Sequence, residues 1–220
     1  MTDAVDRDRI VDAFMALAAE RDFEDIGLSD IAARAGMSLA DLRRGFAHKL
    51  DILASFTRRT DIATLEGLDP GMAGEPARER LFDVLMRRFE LLRPHRAALR
   101  SIVRGLRREP LTALAWNRVA TRSATWMLEG AGIEMAGWRG RMRAQALVHA
   151  WGRAFRVFLD DDDPGLARTM AELDRRLRES ERRMRRFGTI ARVGEAVFGR
   201  GRRRPPGDYE PDSDFEPTPA

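Results

Sequence analysis

A chain of 220 residues, 44% of them hydrophobic, has material for one ordinary domain and a smaller one. With no cysteine it can build neither a disulfide framework nor a thiolate metal site, which suits a reducing cytoplasm. The net charge of +4 is modest; of 39 basic residues only Lys49 is lysine, so arginine's very high pKa inflates the pI of 10.6.

Residues 1–9 are polar and acidic, not a signal peptide. No apolar run approaches the roughly 20 residues of a spanning helix, so a soluble cytoplasmic protein without an integral membrane segment is expected. Ile10, Val11, Phe14, Leu17 and Ala18 predict a helix over about 6–20, and residues 21–27 a loop. Ser29 is placed to cap a short helix carrying Ile31, Ala32 and Ala35, with Gly36 as its stop. Ser38 is the next N-cap, with Asp41 three residues on resembling a capping box. Leu42 and Phe46 are the apolar side of that third helix, and Leu50, Leu53, Phe56 and Leu65 that of a longer fourth.

Residues 67–76 are a linker by composition. Beyond it, helical spacing covers about 77–92, 95–107 and 111–129, with Pro94 and Pro110 where first-turn prolines are tolerated. After a glycine-rich break, an apolar segment runs from Trp138 to Leu159, and Pro164 opens a last long helix with Leu166, Met170, Leu173, Leu177 and Met184 inward. A weaker amphipathic stretch covers 187–199. Residues 200–220 are rich in arginine, then in proline and acid, and read as a disordered tail. The fold class is all-α, divided into a head at 6–66 and a helical body at 77–186.

The segment from Leu28 to Lys49 carries the chemistry. Two short helices meeting at Gly36-Met37-Ser38 pack through Ile31, Ala32, Ala35, Met37, Leu42 and Phe46, and alanines at 32 and 35 let the backbones approach closely. The opposite face of the second helix stays exposed and fits a DNA major groove. Ser38, Arg43, Arg44, His48 and Lys49 are the candidate DNA-binding residues: Arg43 and Lys49 for phosphates, Arg44 for base edges. Lys49 is placed to precede or open the next helix, where backbone N–H groups and a cation can grip one phosphate. Residues 1–60 hold 9 basic and 11 acidic side chains, whereas 28–60 alone hold 6 and 3, so the local field favours DNA and the whole head does not.

At Asp30, Ile31, Ala32, Ala35, Gly36, Ser38, Leu42, Phe46, Lys49 and Leu53 the chain resembles the TetR family of bacterial repressors. It departs from that pattern at Ala40, Asp41, Arg43 and Gly45 in the recognition helix. The resemblance implies a homodimer, paired through the two last long helices, on a palindromic operator in double-stranded DNA. It also implies release by a ligand held between the body helices. A second resemblance covers about 78–184 through Pro94, His95, Arg96, Leu99, Arg100, Trp126, Gly130, Gly132, Phe158 to Asp162, Thr169 and Leu173 to Arg176. It is to the TetR-like lipid-binding proteins of ubiquinone biosynthesis, in which the helix-turn-helix is vestigial, and implies an accessory protein for an isoprenoid-like lipid.

Trp116, Trp126, Trp151 and Phe155 are candidates for an apolar pocket taking a small-molecule or lipid effector, although aromatics at helical spacing more often simply pack. The apolar content of 138–159 exceeds what one stripe of a small bundle buries, which favours a dimer. His95 reads as a local hydrogen-bonding group at a helix start and His149 as a core histidine. Asp160 to Asp163 read as a helix end followed by a cap at Asp163, not as a metal site. Phe187, Ile190, Ala191, Val197 and Phe198 allow a third reading, a membrane-surface helix. No nucleophile–base pair, phosphate loop or metal constellation is present, so no enzyme, catalytic residue, cofactor or metal is expected.

Overall fold

The computed structural model describes residues 4–198, and among them every regular element is helical. The first helix, α1 (Ala4–Glu20), buries Ile10, Val11, Phe14, Leu17 and Ala18, the stripe that its spacing requires. The segment after it is more than a loop. A 3-10 turn at Phe23–Asp25 buries Phe23, whose ring meets Phe14 edge-on at 6.2 Å.

In α2 (Leu28–Arg34) the N-cap is Gly27, not Ser29, which stays exposed. Asp30 decides the start: its carboxylate reaches back to accept the Gly27 N–H at 2.8 Å. Gly36, at φ 66°, ends the helix in a Schellman turn, with Met37 N–H on the Ala32 carbonyl and Gly36 N–H on that of Ala33. Ser38 then caps α3 (Leu39–Gly45), its Oγ accepting the Asp41 N–H at 3.1 Å. Asp51 starts α4 (Lys49–Glu66) by accepting the N–H groups of Ala47 and His48, both at 3.0 Å.

The stretch 67–76 contains a 3-10 turn at Pro70–Gly74, after which α5 (Ala77–Leu92) packs back on α4. A third 3-10 turn, Arg93–His95, carries Pro94; α6 (Arg96–Arg108) follows and lies along α1. In α7 (Pro110–Gly130) proline opens the helix, and α8 (Gly137–Leu159) packs antiparallel to it in sequence order after a short turn. Within Met1–Ser180, one compact unit, residues of the N-terminal and later helices share a continuous apolar core.

Pro164 does not open the last helix, α9, which runs Ala167–Phe198. Asp163 and Asp161 explain the delay. Leu166 turns back on the Asp163 carbonyl at a φ of 54°, and the Asp163 carboxylate accepts the Ala167 N–H at 2.9 Å. Asp161, fully buried, accepts from both the N–H and the hydroxyl of Thr169, at 2.9 and 2.7 Å. Asp163 therefore bonds the start of the last helix as a cap would, but that helix begins at Ala167 and not at Pro164.

On α9, Leu173 and Leu177 are buried, but Met170 is 40% exposed, against expectation. A second unit, Glu181–Ala220, contributes only the later turns of α9 to the described residues. The Met184 side chain, the apolar stripe expected on 187–198 and the tail at 200–220 lie outside the described residues. Among the described residues no helix is long and apolar enough to cross a membrane.

Candidate nucleic-acid interface and the cavity behind it

Helices α2 and α3 pack through the small and branched residues that the sequence marks: Ile31, Ala32, Ala35, Leu42 and Phe46 are buried and Met37 half-buried. That leaves Leu39, Ala40, Arg43 and Arg44 of α3 exposed together with His48 just beyond it. The charges on this face are already organised. Ser38 donates its hydroxyl to Asp41 at 2.6 Å while accepting the Asp41 N–H, and Asp41 also pairs with Arg44. The Ser38 hydroxyl first, then Arg44, hold the Asp41 carboxyl below the usual carboxylate range. A true capping box would send this carboxylate to the Ser38 backbone N–H; it takes the hydroxyl instead.

The five candidate residues thus fall into three groups. Arg43 and His48 are exposed, with no ion pair among the described residues. Ser38 and Arg44 are bound up with Asp41. Lys49 turns inward: its ammonium donates to the Phe23 carbonyl at 2.7 Å and lies 4.3 Å from the centre of the Phe23 ring. Burial pulls its pKa below the ordinary lysine value, against the raising effect of Glu109, Asp25 and Glu24. The phosphate grip expected at the start of α4 is not the arrangement present, because a buried carbonyl has taken the cation.

Arg7 was missed by the sequence reading. Its guanidinium donates to the Gly45 carbonyl at 3.2 Å and stacks over Phe46 at 4.5 Å, which puts an exposed cation at the C-terminal end of α3. Only its position one turn before the apolar stripe of α1 hinted at this. The acid of the head is mostly spent elsewhere: Asp8 and Asp12 pair with Arg59, Glu20 with Arg34, Asp22 with Arg104 and Glu24 with Arg108.

Behind the head, α4 to α8 enclose a cavity of about 420 Å³. Trp116, Trp151 and Phe155 line it, as expected, and Trp151 stacks on buried Phe89 with centroids 4.1 Å apart. Trp126 does not. The inward stripe of α7 runs through Trp116, Ala120, Ser123, Ala124 and Met127, and Trp126 falls off it, 53% exposed. On α8, Leu147 and Phe158 are buried and Val148, Trp151 and Phe155 half-buried within the same protomer, so they no longer argue for a partner chain; Trp138 and Met142 stay exposed.

One wall of the cavity is ionic. Arg88 and Asp61, each 7% exposed, form a salt bridge, and the Ser123 hydroxyl donates to the same Asp61 oxygen at 2.7 Å. An acid on the inward stripe of α4 and an arginine on that of α5 were the signals for this pair. His95 makes an edge contact with Phe56 at 5.0 Å in place of the expected hydrogen bond, and burial, then Arg59, lower its pKa against Asp12. His149 is exposed, not a core residue. No group of metal-ligating side chains occurs among the described residues.

No protein-family model matches the chain, and no curated protein is similar to it. Solved structures are. The TetR transcriptional regulator from Nitrosomonas europaea ATCC 19718 superposes with a TM-score of 0.63 at 24% identity, over 80% of this chain and 97% of that one. A TetR transcriptional regulator from Rhodococcus sp. RHA1 gives 0.61 at 19%, over 80% and 95%. A tetR-family transcriptional regulator from Streptomyces coelicolor gives 0.52 at 17%, over 91% and 100%. The likeness is one of fold: an N-terminal helix-turn-helix, α2 and α3, followed by a helical bundle.

Proposed function

We propose that the chain is a DNA-binding transcriptional regulator, a repressor that works in the cytoplasm as a homodimer on a palindromic operator. The observation that supports this reading is the placement of one helix. α4 starts at the exposed edge of the helix-turn-helix and, over its first three turns or so, lines the cavity with Leu53, Phe56, Thr57 and Thr60. A ligand in the cavity pushes on the same rod that positions α3. A coupling of about 1–3 kcal/mol is enough to shift operator affinity roughly 5- to 150-fold.

On DNA, Arg43 takes a phosphate and Arg44 leaves Asp41 for a base edge. Ser38 and His48 hold the two ends of α3 in register, and Lys49 reaches a phosphate by leaving the Phe23 carbonyl. Two copies joined through α8 and α9 present two such helices about one DNA turn apart, or a little more. Exposed Trp138 and Met142 on α8 and Met170 on α9 are apolar surface that such pairing would cover. Selection of bound fragments from genomic DNA, followed by binding to the recovered sequence with and without a cell lipid extract, tests the reading. Recovery of unrelated sequences alone sinks it.

A second reading draws on the self-neutralised face: Asp41 holds Arg44, and Lys49 points away from any DNA. Under it the head is vestigial and the cavity serves a lipid-binding accessory protein of ubiquinone biosynthesis. Mass spectrometry of an isoprenoid lipid carried through purification, with no selected DNA, supports that alternative.

A further inference from the structure

The cavity is chemically polarised. The polar groups on its inner wall are all engaged within the protein: Arg88 with Asp61, Ser123 with Asp61 at 2.7 Å, and the Thr57 and Thr60 hydroxyls with backbone carbonyls at 2.9 and 3.0 Å. Asn117, the remaining amide of the lining, is paired with Gln145 at 3.3 and 3.2 Å, and the rest of the wall is aromatic and aliphatic, so the interior offers a ligand no unmet charge and suits an apolar group.

The mouth is different. Arg107, Ala113 and Arg156 are the lining residues exposed to solvent, and they mark where the cavity opens. Neither arginine has an ion pair among the described residues; Arg156 spends only its Nε, on the Gly152 carbonyl at 3.2 Å. Burial first, then Arg153, Arg107 and Arg176, lower the pKa of Arg156 against the raising effect of Glu172, so three cations face one carboxylate here. Glu172, the carboxylate that acts on Arg156, is itself held by Arg175 and Arg176.

We infer that the cavity takes an anionic amphiphile, its apolar chain against Trp116, Trp151 and Phe155 and its carboxylate or phosphate head on Arg107 and Arg156. Guanidinium groups suit both heads, because their planar donor forks match two anionic oxygens at once. The inference rests on the reading of this cavity as the effector site and names the class of effector.

Calorimetric titration of the full chain with dodecanoate, dodecyl phosphate, dodecanol and dodecyltrimethylammonium, all below micelle formation, tests it. The better of the two anions binds about tenfold or more tighter than the alcohol, as charge-assisted hydrogen bonds require, and the cation binds weakest. Which anion wins separates a fatty-acid head from a phosphate one. Arg107→Ala with Arg156→Ala removes the anion's advantage and leaves dodecanol binding unchanged, while the double lysine variant keeps part of the advantage. Equal binding of alcohol and anions, an advantage that survives the alanine pair, or no binding of any of the four overturns the inference. Arginine-dependent anion binding that leaves DNA affinity unaltered sustains it and sinks the regulator reading; release of DNA by dodecanol alone does the reverse.

Discussion

Phe23 occupies the space that Gly105 leaves open: a Cβ on Gly105 would lie 2.6 Å from Phe23 Cδ1 and 3.1 Å from its Cβ. α6 thus has two working faces. Ile102, Val103 and Leu106 line the cavity, and Gly105 receives Phe23, whose carbonyl in turn accepts the Lys49 ammonium at 2.7 Å. α6 thus contacts both the cavity and the residue that holds Lys49.

Gly105→Val tests this fit. Replacing a helical glycine normally gains several tenths of a kcal/mol. Here the added methyls meet the Phe23 ring, and a net loss of about 1–3 kcal/mol is expected from overpacking. Phe23→Ala alone should cost about 3–5 kcal/mol, and the double variant clearly less than the sum of the two. Urea unfolding of the four proteins reads the cycle; strict additivity would show that the two side chains do not share the space.

The buried Arg88–Asp61 pair makes an asymmetric prediction. Asp61→Ala strands a guanidinium that is 7% exposed and should cost about 3–5 kcal/mol. Asp61→Leu combined with Arg88→Met, which removes both charges, should fall within about 1.5 kcal/mol of the native chain or exceed it, because the desolvation cost goes with the ions. Thermal melts at one pH decide it, and a double variant as unstable as the single one would contradict the argument.

Asp161 sets an acid limit. Burial pushes its pKa up, but the hydroxyl and N–H of Thr169 and the N–H of Asp163 outweigh it and leave the carboxyl below its ordinary value. A folded pKa below the unfolded one means that the stabilisation is present in full above the ordinary carboxylate range. It is lost as pH falls through the depressed value. Asp161→Ala should therefore cost about 1–3 kcal/mol at neutral pH, by stranding buried Thr169 donors, and flatten the loss of stability in acid. Melting temperatures of both proteins across that range should converge as pH falls; parallel curves would remove Asp161 from the account.

Much of this fold was legible in the sequence, and the reasons for success and failure are local. Apolar spacing located α1 and α5 to α8 because each buries one continuous stripe, and Gly36 and Ser38 marked the tight turn because few residues do their work. Helix starts were less legible where a carboxylate acts at a distance: Asp30 moved one cap back to Gly27, and Asp161 and Asp163 moved another on to Ala167. At the candidate site, spacing brought Ser38, Arg43, Arg44 and His48 to one exposed edge. It carried no information about where a flexible side chain ends, which is how the inward turn of Lys49 and the approach of Arg7 to Gly45 escaped notice. Trp126 was misplaced for a similar reason, since four aromatics on two helices fix no phase until the helices pack.

The charges on α3 give the sharpest test of function. Arg43 is exposed with no ion pair among the described residues, so Arg43→Ala should leave stability within about 0.5 kcal/mol of the native value. It should also lower the salt dependence of DNA binding by about one counterion per half-site, equally on all sequences. Lys49→Ala should behave differently. It first loosens the turn at Phe23, seen as a lower melting temperature, and it reduces the salt slope only to the extent that the ammonium leaves the Phe23 carbonyl on DNA. Asp41→Ala frees Arg44 and removes a negative charge from the groove face, so affinity for random DNA should rise while α3 frays modestly. Arg44→Ala should relax sequence preference more than it lowers that non-specific affinity, because a base contact carries sequence information and a phosphate contact does not. Fluorescence anisotropy over a salt series, on a selected operator and on a scrambled duplex, measures all four. If the native protein shows no salt-dependent affinity near physiological ionic strength, and Asp41→Ala does not restore any, the repressor reading fails and the lipid-binding one takes its place.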